Sequence, residues 1–194
     1  MSQQPFENFP NQNFIFHERK EVKFEVLYFF NLNCPTCIRF EKFLKPWLLR
    51  NQKNVSIREI PAPVKPSWQL ANNVYFAAKI LNPRLSFLEI MSEQEKRRDA
   101  IYNYQSAEKF VNRFHHYSSD EIASVLFSET VFNLVDYSTD LYKKFDVSGT
   151  PTMILITRNH NTYKVSPEFT DTFPEMLTVL DALISYNSTN QKKK

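Results

Sequence analysis

The run Lys23–Asn31, KFEVLYFFN, is dense in aromatic and β-branched residues and reads as a buried strand. After Asn33 the apolar spacing changes. Ile38, Phe40, Phe43, Leu44, Trp47 and Leu48 recur at helical intervals through CPTCIRFEKFLKPWLLR. Pro35 falls in the first turn of that helix, where a missing N–H costs nothing, whereas Pro46 falls in the interior and predicts a kink. Val55–Ile60, VSIREI, alternates like a second strand, so the chain opens as a strand–helix–strand unit of the parallel type.

The middle is helical by pattern. Ser67 is placed to cap WQLANNVYFAAKIL, which ends at Asn82-Pro83. Arg84–Arg98 and Ser106–Tyr117 are two further amphipathic candidates. Ser118-Ser119-Asp120-Glu121 offers a capping box ahead of IASVLF, and Ser128–Phe145 carries another apolar stripe. The periodicity then returns to strands: TMILIT, a turn at RNHN, and TYKV as its hairpin partner. Thr172-Phe173-Pro174-Glu175 opens a last helix, EMLTVLDALISY.

The order is therefore β-α-β, a helical block of some 80 residues, then β-β-α. With the block set aside, the remainder is a βαβ–ββα sandwich on a mixed sheet. This predicts an α/β protein with the thioredoxin fold and an inserted all-helical subdomain. The expected divisions are a flexible tail at 1–13, a thioredoxin-like domain at 14–62 and 146–187, a helical insertion at 63–145, and a flexible tail at 188–194.

Composition narrows the function classes. The chain has 194 residues, of which 42% are hydrophobic, and its 18 phenylalanines predict an aromatic core. A net charge of +3 is too small and scattered to argue for nucleic acid. No apolar run approaches the roughly 18 residues of a membrane span. MSQQPFENFPNQNFIF lacks the basic head and apolar core of a signal peptide, so the chain is either cytosolic or a mature form with its leader removed. His115-His116 are expected to be solvated, with no third ligand near in sequence, and Trp47 and Trp68 to be packing residues.

The only cysteines are Cys34 and Cys37, spaced C-x-x-C between a buried strand and a helix. One pair this close closes too short a loop to staple a fold, and it cannot complete a zinc site alone. Thiol–disulfide exchange, however, needs a thiolate nucleophile and a second thiol to release the mixed disulfide. Cys34, at the helix N-terminus, is the expected attacking and exposed thiol, and Cys37 the buried resolving one.

The stretches YFFNLNCPTCIRFEKFL and KKFDVSGTPTMIL, joined by a helical block that begins PVKPSW, resemble the DsbA family of bacterial thiol–disulfide oxidoreductases from about Glu21 to Tyr186. The resemblance implies a periplasmic enzyme that donates its Cys34–Cys37 disulfide to newly exported or unfolded cysteine-containing proteins; a monomer without cofactor or metal is expected. A DsbB-like membrane partner would reoxidise it. It also implies that Gly149-Thr150-Pro151 is a substrate-binding loop with a cis peptide at Pro151. On that reading the chain's only glycine gives the loop freedom for a close approach, with a positive φ.

Two departures from the family pattern stand out. The Pro35-Thr36 dipeptide has threonine where histidine is commonest, which predicts weaker thiolate stabilisation. Tyr28 stands where an acidic residue is usual, while Glu41 does match a family acidic position, so the possible proton relay rests on Glu41 and Tyr28. Competing readings are a reductase or isomerase using the same cysteines, a non-catalytic binding or chaperone-like protein, and a glutathione-dependent transferase. The retained second cysteine disfavours the last.

Overall fold

The computed structural model describes residues 7–9, 22–97 and 99–191. The chain divides into two compact units. One comprises Met1–Tyr28, Lys42–Glu59 and Pro151–Lys194, the other Phe29–Glu41 and Ile60–Thr150.

The first unit is built on a five-stranded sheet of order β1-β5-β4-β2-β3. The strands are β1 (Glu7–Phe9), β2 (Phe24–Phe30), β3 (Val55–Pro61), β4 (Thr152–Thr157) and β5 (Thr162–Val165). Every residue of β2 and β4 is buried, which is why these central strands read as unbroken apolar runs rather than alternating ones. β4 and β5 form an antiparallel hairpin, with Met153 opposite Val165 and Ile156 opposite Thr162. His160 takes a positive φ of 60° in its turn.

The segment expected to be a loose N-terminal tail instead supplies an edge strand: β1 pairs antiparallel to β5, with Glu7 opposite Lys164. Three paired residues are too short to stand out in a polar stretch.

Helix α1 (Pro35–Asn51) links β2 to β3 and runs unbroken through Pro46, and α7 (Phe173–Gln191) closes the chain, extending into the segment expected to be a C-terminal tail. Within this unit the buried Trp47 donates its indole N–H to Asp181 at 2.7 Å, which ties α1 to α7. Phe43 packs on Phe173 at 6.0 Å between ring centres. Glu25, buried on β2, is paired with Arg58 of β3.

The second unit holds α2 (Gln69–Leu81), α3 (Phe87–Arg97), α4 (Tyr104–Val111), α5 (Ser119–Leu126) and α6 (Glu129–Lys144). α2 is the hub, packing on α4, α5 and α6. The last residues of β2 join this core: Phe30 meets Tyr75 and Phe87 edge-on at 5.0 and 4.9 Å, and Phe29 meets Tyr142 and Phe145.

Caps set the helix boundaries. Ser118 and Glu121 form the expected box, and Ser128 accepts from the Val131 N–H. Ser67 does not cap; it lies in a 3₁₀ turn, and α2 starts at Gln69 without a side-chain cap. Ser86 and Glu89 exchange reciprocal hydrogen bonds, so α3 begins at Phe87 rather than Arg84. The third helical candidate begins two residues early, because Asn103 caps it and Ser106 answers as the box partner.

Candidate active site

α1 begins at Pro35, so Cys34 is its N-cap. The Cys34 carbonyl accepts the Ile38 N–H at 3.1 Å, and its sulfur accepts the Cys37 N–H at 3.1 Å. A capping serine or aspartate makes the same bond through oxygen. Both cysteines are free thiols, and the Cys34 thiol donates to the Thr150 carbonyl at 3.6 Å.

These contacts separate the two thiols chemically. The Cys34 pKa falls from 9.0 to about 6, chiefly because the Cys37 thiol donates to its sulfur. Burial opposes the shift, while the Thr150 hydroxyl, the Cys37 N–H and the Thr36 hydroxyl all favour the anion. Cys37 moves the other way, well above 9.0, first because it is buried and then because a Cys34 thiolate accepts its hydrogen bond and repels a second charge. One member of the pair is a thiolate at neutral pH and the other a thiol. That is the division of labour thiol–disulfide exchange requires.

Cys34, expected to be exposed, is only 2% exposed, and Cys37 is fully buried. The Cys34 sulfur turns inward onto the Cys37 N–H and the Thr150 carbonyl, which satisfies it but covers it.

Gly149 also departs from its expected conformation. It has no positive φ, and a Cβ built on it meets nothing within 4 Å. Neither backbone freedom nor close approach requires a glycine there. The non-glycine residues at positive φ among those described are Asp146 and His160. Asp146 follows the last turn of α6, donating its N–H to Lys143 while Val147 donates to Tyr142. Those two bonds make a Schellman motif with aspartate at the position glycine usually takes.

Of the other sequence-derived candidates, Pro35, Thr36, Glu41, Gly149 and Thr150 lie in the second unit with both cysteines. Glu41 is buried on α1, one turn beyond Cys37. Tyr28 and Pro151 lie in the first unit, where both are buried. The acid buried on β2 is Glu25, three residues before the position the family pattern points to. His115 and His116 are exposed, and among the described residues no group of three or more His, Cys, Asp or Glu could hold a metal ion.

A second layer of residues, scarcely signalled in the sequence, supports the cysteines. Asn31, Leu32 and Asn33 form the turn that delivers Cys34, whose N–H donates to the Asn31 carbonyl at 3.0 Å. The Asn31 amide donates to Asn72 at 2.8 Å and to the Ala62 carbonyl at 3.1 Å, while its oxygen accepts the Asn33 N–H. Gln94 of α3 donates to the Leu32 carbonyl at 3.0 Å. The Asn33 amide both donates to the Ile101 carbonyl at 2.9 Å and accepts its N–H at 2.8 Å. The available signal was a pair of asparagines closing an otherwise apolar strand. Beside this turn a hollow of about 330 Å³ opens among Leu32, Asn33, Pro35, Ile38, Gln94 and Tyr102.

No protein-family model matches the chain. Over 163 residues it is 23% identical to the thiol:disulfide interchange protein DsbA of Burkholderia cepacia, a match covering 84% of this chain and 74% of that protein. The crystal structure of Pseudomonas aeruginosa DsbA aligns with 97% of this chain and 95% of its own, with a TM-score of 0.79 and 17% identity. The oxidoreductase DsbA of Xylella fastidiosa aligns with a TM-score of 0.72 over 86% of this chain and 87% of its own, at 24% identity.

The chain is DsbA-like in sequence and fold. Its architecture is the thioredoxin fold with an inserted helical domain. No helix among the described residues is long and apolar enough to cross a membrane.

Proposed function

We propose that this DsbA-like protein is a thiol–disulfide oxidoreductase that introduces disulfides into exported proteins. The observation that carries the reading is the split between a thiolate-prone Cys34 and a proton-holding Cys37. A substrate thiolate attacks Cys34 of the Cys34–Cys37 disulfide, Cys37 leaves and takes up a proton, and a mixed disulfide forms. A second substrate thiolate then attacks the substrate sulfur of that bond and Cys34 leaves as a thiolate. Two electrons pass from substrate to enzyme, and the enzyme finishes as the dithiol.

Direction follows from thiolate stability. A stabilised Cys34 thiolate favours the reduced protein and so makes its disulfide the oxidant. At about 6, the Cys34 pKa lies between the values near 7 and 3.5 that accompany a reducing and a strongly oxidising C-x-x-C protein.

The remaining parts of this reading follow the family likeness. Gly149, Thr150 and Pro151, with a cis peptide at Pro151, form the substrate-pairing loop. Glu41 and Tyr28 are the proton-relay candidates. The division by chain order, 14–62 with 146–187 against 63–145, differs from the two compact units, in which Phe29–Glu41 belongs with the helices. The protein works in the periplasm as a monomer on unfolded or newly exported proteins, and a DsbB-like membrane protein reoxidises it. The test is the equilibrium of the cysteine pair against glutathione. A potential of about −120 to −180 mV is expected, and one near about −270 mV would identify a reductase instead. An inert pair, with wild-type behaviour in Cys34→Ser, would end both redox readings.

A further inference from the structure

The turn 31–33 is irregular backbone at the end of a buried strand, and each of its residues is held by a side chain or peptide of the helical unit. Asn33, 9% exposed, makes a two-point clamp on the Ile101 peptide, satisfying both its N–H and its carbonyl. Gln94, 1% exposed, donates both amide hydrogens, one to the Leu32 carbonyl and one to the Asp99 carbonyl at 2.8 Å. Asn31, fully buried, spans Asn72 and the Ala62 and Trp68 carbonyls.

Apolar side chains would fill this space without demanding partners, since a satisfied buried hydrogen bond contributes little net stability. What amides add over packing is direction. Each fixes a particular peptide orientation, and the residue after Asn33 is the cysteine whose sulfur must meet the Cys37 N–H.

We propose that Asn33 and Gln94 are positioning residues for thiol–disulfide exchange: they hold the 31–34 turn so that the Cys34 sulfur faces the N-terminus of α1. Their hydrogen bonds go to backbone groups rather than to a sulfur, so they act through the backbone that carries Cys34. The inference rests on the oxidoreductase reading above for its meaning, but its primary readout does not need turnover. A loosened turn weakens the bonds from the Cys37 thiol and N–H to the Cys34 sulfur, and with them the preference for the thiolate.

The experiment measures the Cys34 pKa by thiolate ultraviolet absorbance, the glutathione equilibrium, and the unfolding of both redox forms. Wild type is compared with Asn33→Ala and Gln94→Met. Asn33→Ala is expected to raise the Cys34 pKa by about one unit and to shift the glutathione equilibrium toward the disulfide by roughly fivefold at neutral pH. Gln94→Met should move both the same way by less. A merely structural role would lower the stability of both redox forms equally and leave the pKa and the equilibrium at wild-type values; that result overturns the proposal. A shift in Asn33→Ala alone overturns the part assigned to Gln94. If Asn33→Ala does not fold, Gln94→Met decides: a shift supports the proposal and wild-type values overturn it. A wild-type protein that fails to equilibrate with glutathione defeats the proposed function, while the pKa comparison still decides the positioning claim.

Discussion

The Cys34 sulfur and the Thr150 carbonyl oxygen stand 3.6 Å apart although 116 residues separate them in sequence. A thiol donates to that carbonyl, and a thiolate has no proton to give. Ionisation of Cys34 therefore releases the carbonyl while the Thr150 hydroxyl, which favours the anion, gains importance. One residue responds to both protonation states of the nucleophile, through opposite ends of its hydrogen-bonding capacity.

The ranking of influences on Cys34 predicts an order of mutational effects. Cys37→Ala removes the strongest favourable one and should raise the Cys34 pKa most. Thr150→Val should follow and Thr36→Val should have the smallest effect, both shifts being upward and each about one unit or less. Thiolate absorbance of the reduced variants checks the order. An unchanged pKa in Thr150→Val would remove Thr150 from the account.

Reactivity should follow the Cys34 titration. Alkylation of reduced protein by a small reagent is expected to rise with a midpoint near pH 6, leaving about nine-tenths of the thiol ionised at about pH 7. Because Cys34 is only 2% exposed, a bulky maleimide should react more slowly, relative to iodoacetamide, than it does with a free cysteine of the same pKa. Equal ratios would mean that the sulfur is as open as a surface thiol.

Stability carries the same signature. Cys34 is depressed in the folded reduced protein, from 9.0 to about 6, so its contribution is fully present above pH 9.0 and is lost as pH falls through about 6. Its ceiling is of order 4 kcal/mol by linkage. Cys37 is raised, so its contribution is present below pH 9.0 and is lost as pH rises beyond it. Denaturant unfolding of reduced wild type against Cys34→Ala should therefore show a gap that widens from about pH 5 to about pH 8. Parallel curves would contradict the lowered pKa.

The sequence exposed what depends on local pattern and concealed what depends on distant partners. Ser118–Glu121 was legible as a cap because both halves of the box lie three residues apart. The C-x-x-C pair was legible because strand and helix flank it directly. Asn33 read only as a polar residue before a helix, since Ile101 lies 68 positions away. Ser67 was misplaced because a 3₁₀ turn consumed it before α2 began. Gly149 misled for a different reason: rarity drew attention to a residue whose backbone any amino acid can adopt.

That misreading yields a test in which the chain's only glycine is moved. Gly149→Ala meets open space and no unfavourable φ, so it should leave the glutathione equilibrium and the Cys34 pKa unchanged and stabilise by about 0.4–1 kcal/mol through the unfolded chain. Asp146→Gly places glycine where the backbone takes a φ of 45° after α6, and it removes a negative charge from the negative end of the helix dipole. It should stabilise by up to about 1 kcal/mol. The two sites are three residues apart, so the double variant tests whether the gains add. Denaturant unfolding measures all three proteins. A Gly149→Ala variant that exchanges tenfold more slowly, with its stability intact, would mean that the substrate-pairing loop does require a glycine; a destabilised Asp146→Gly would mean that the aspartate side chain contributes more to the α6 terminus than its backbone strain costs.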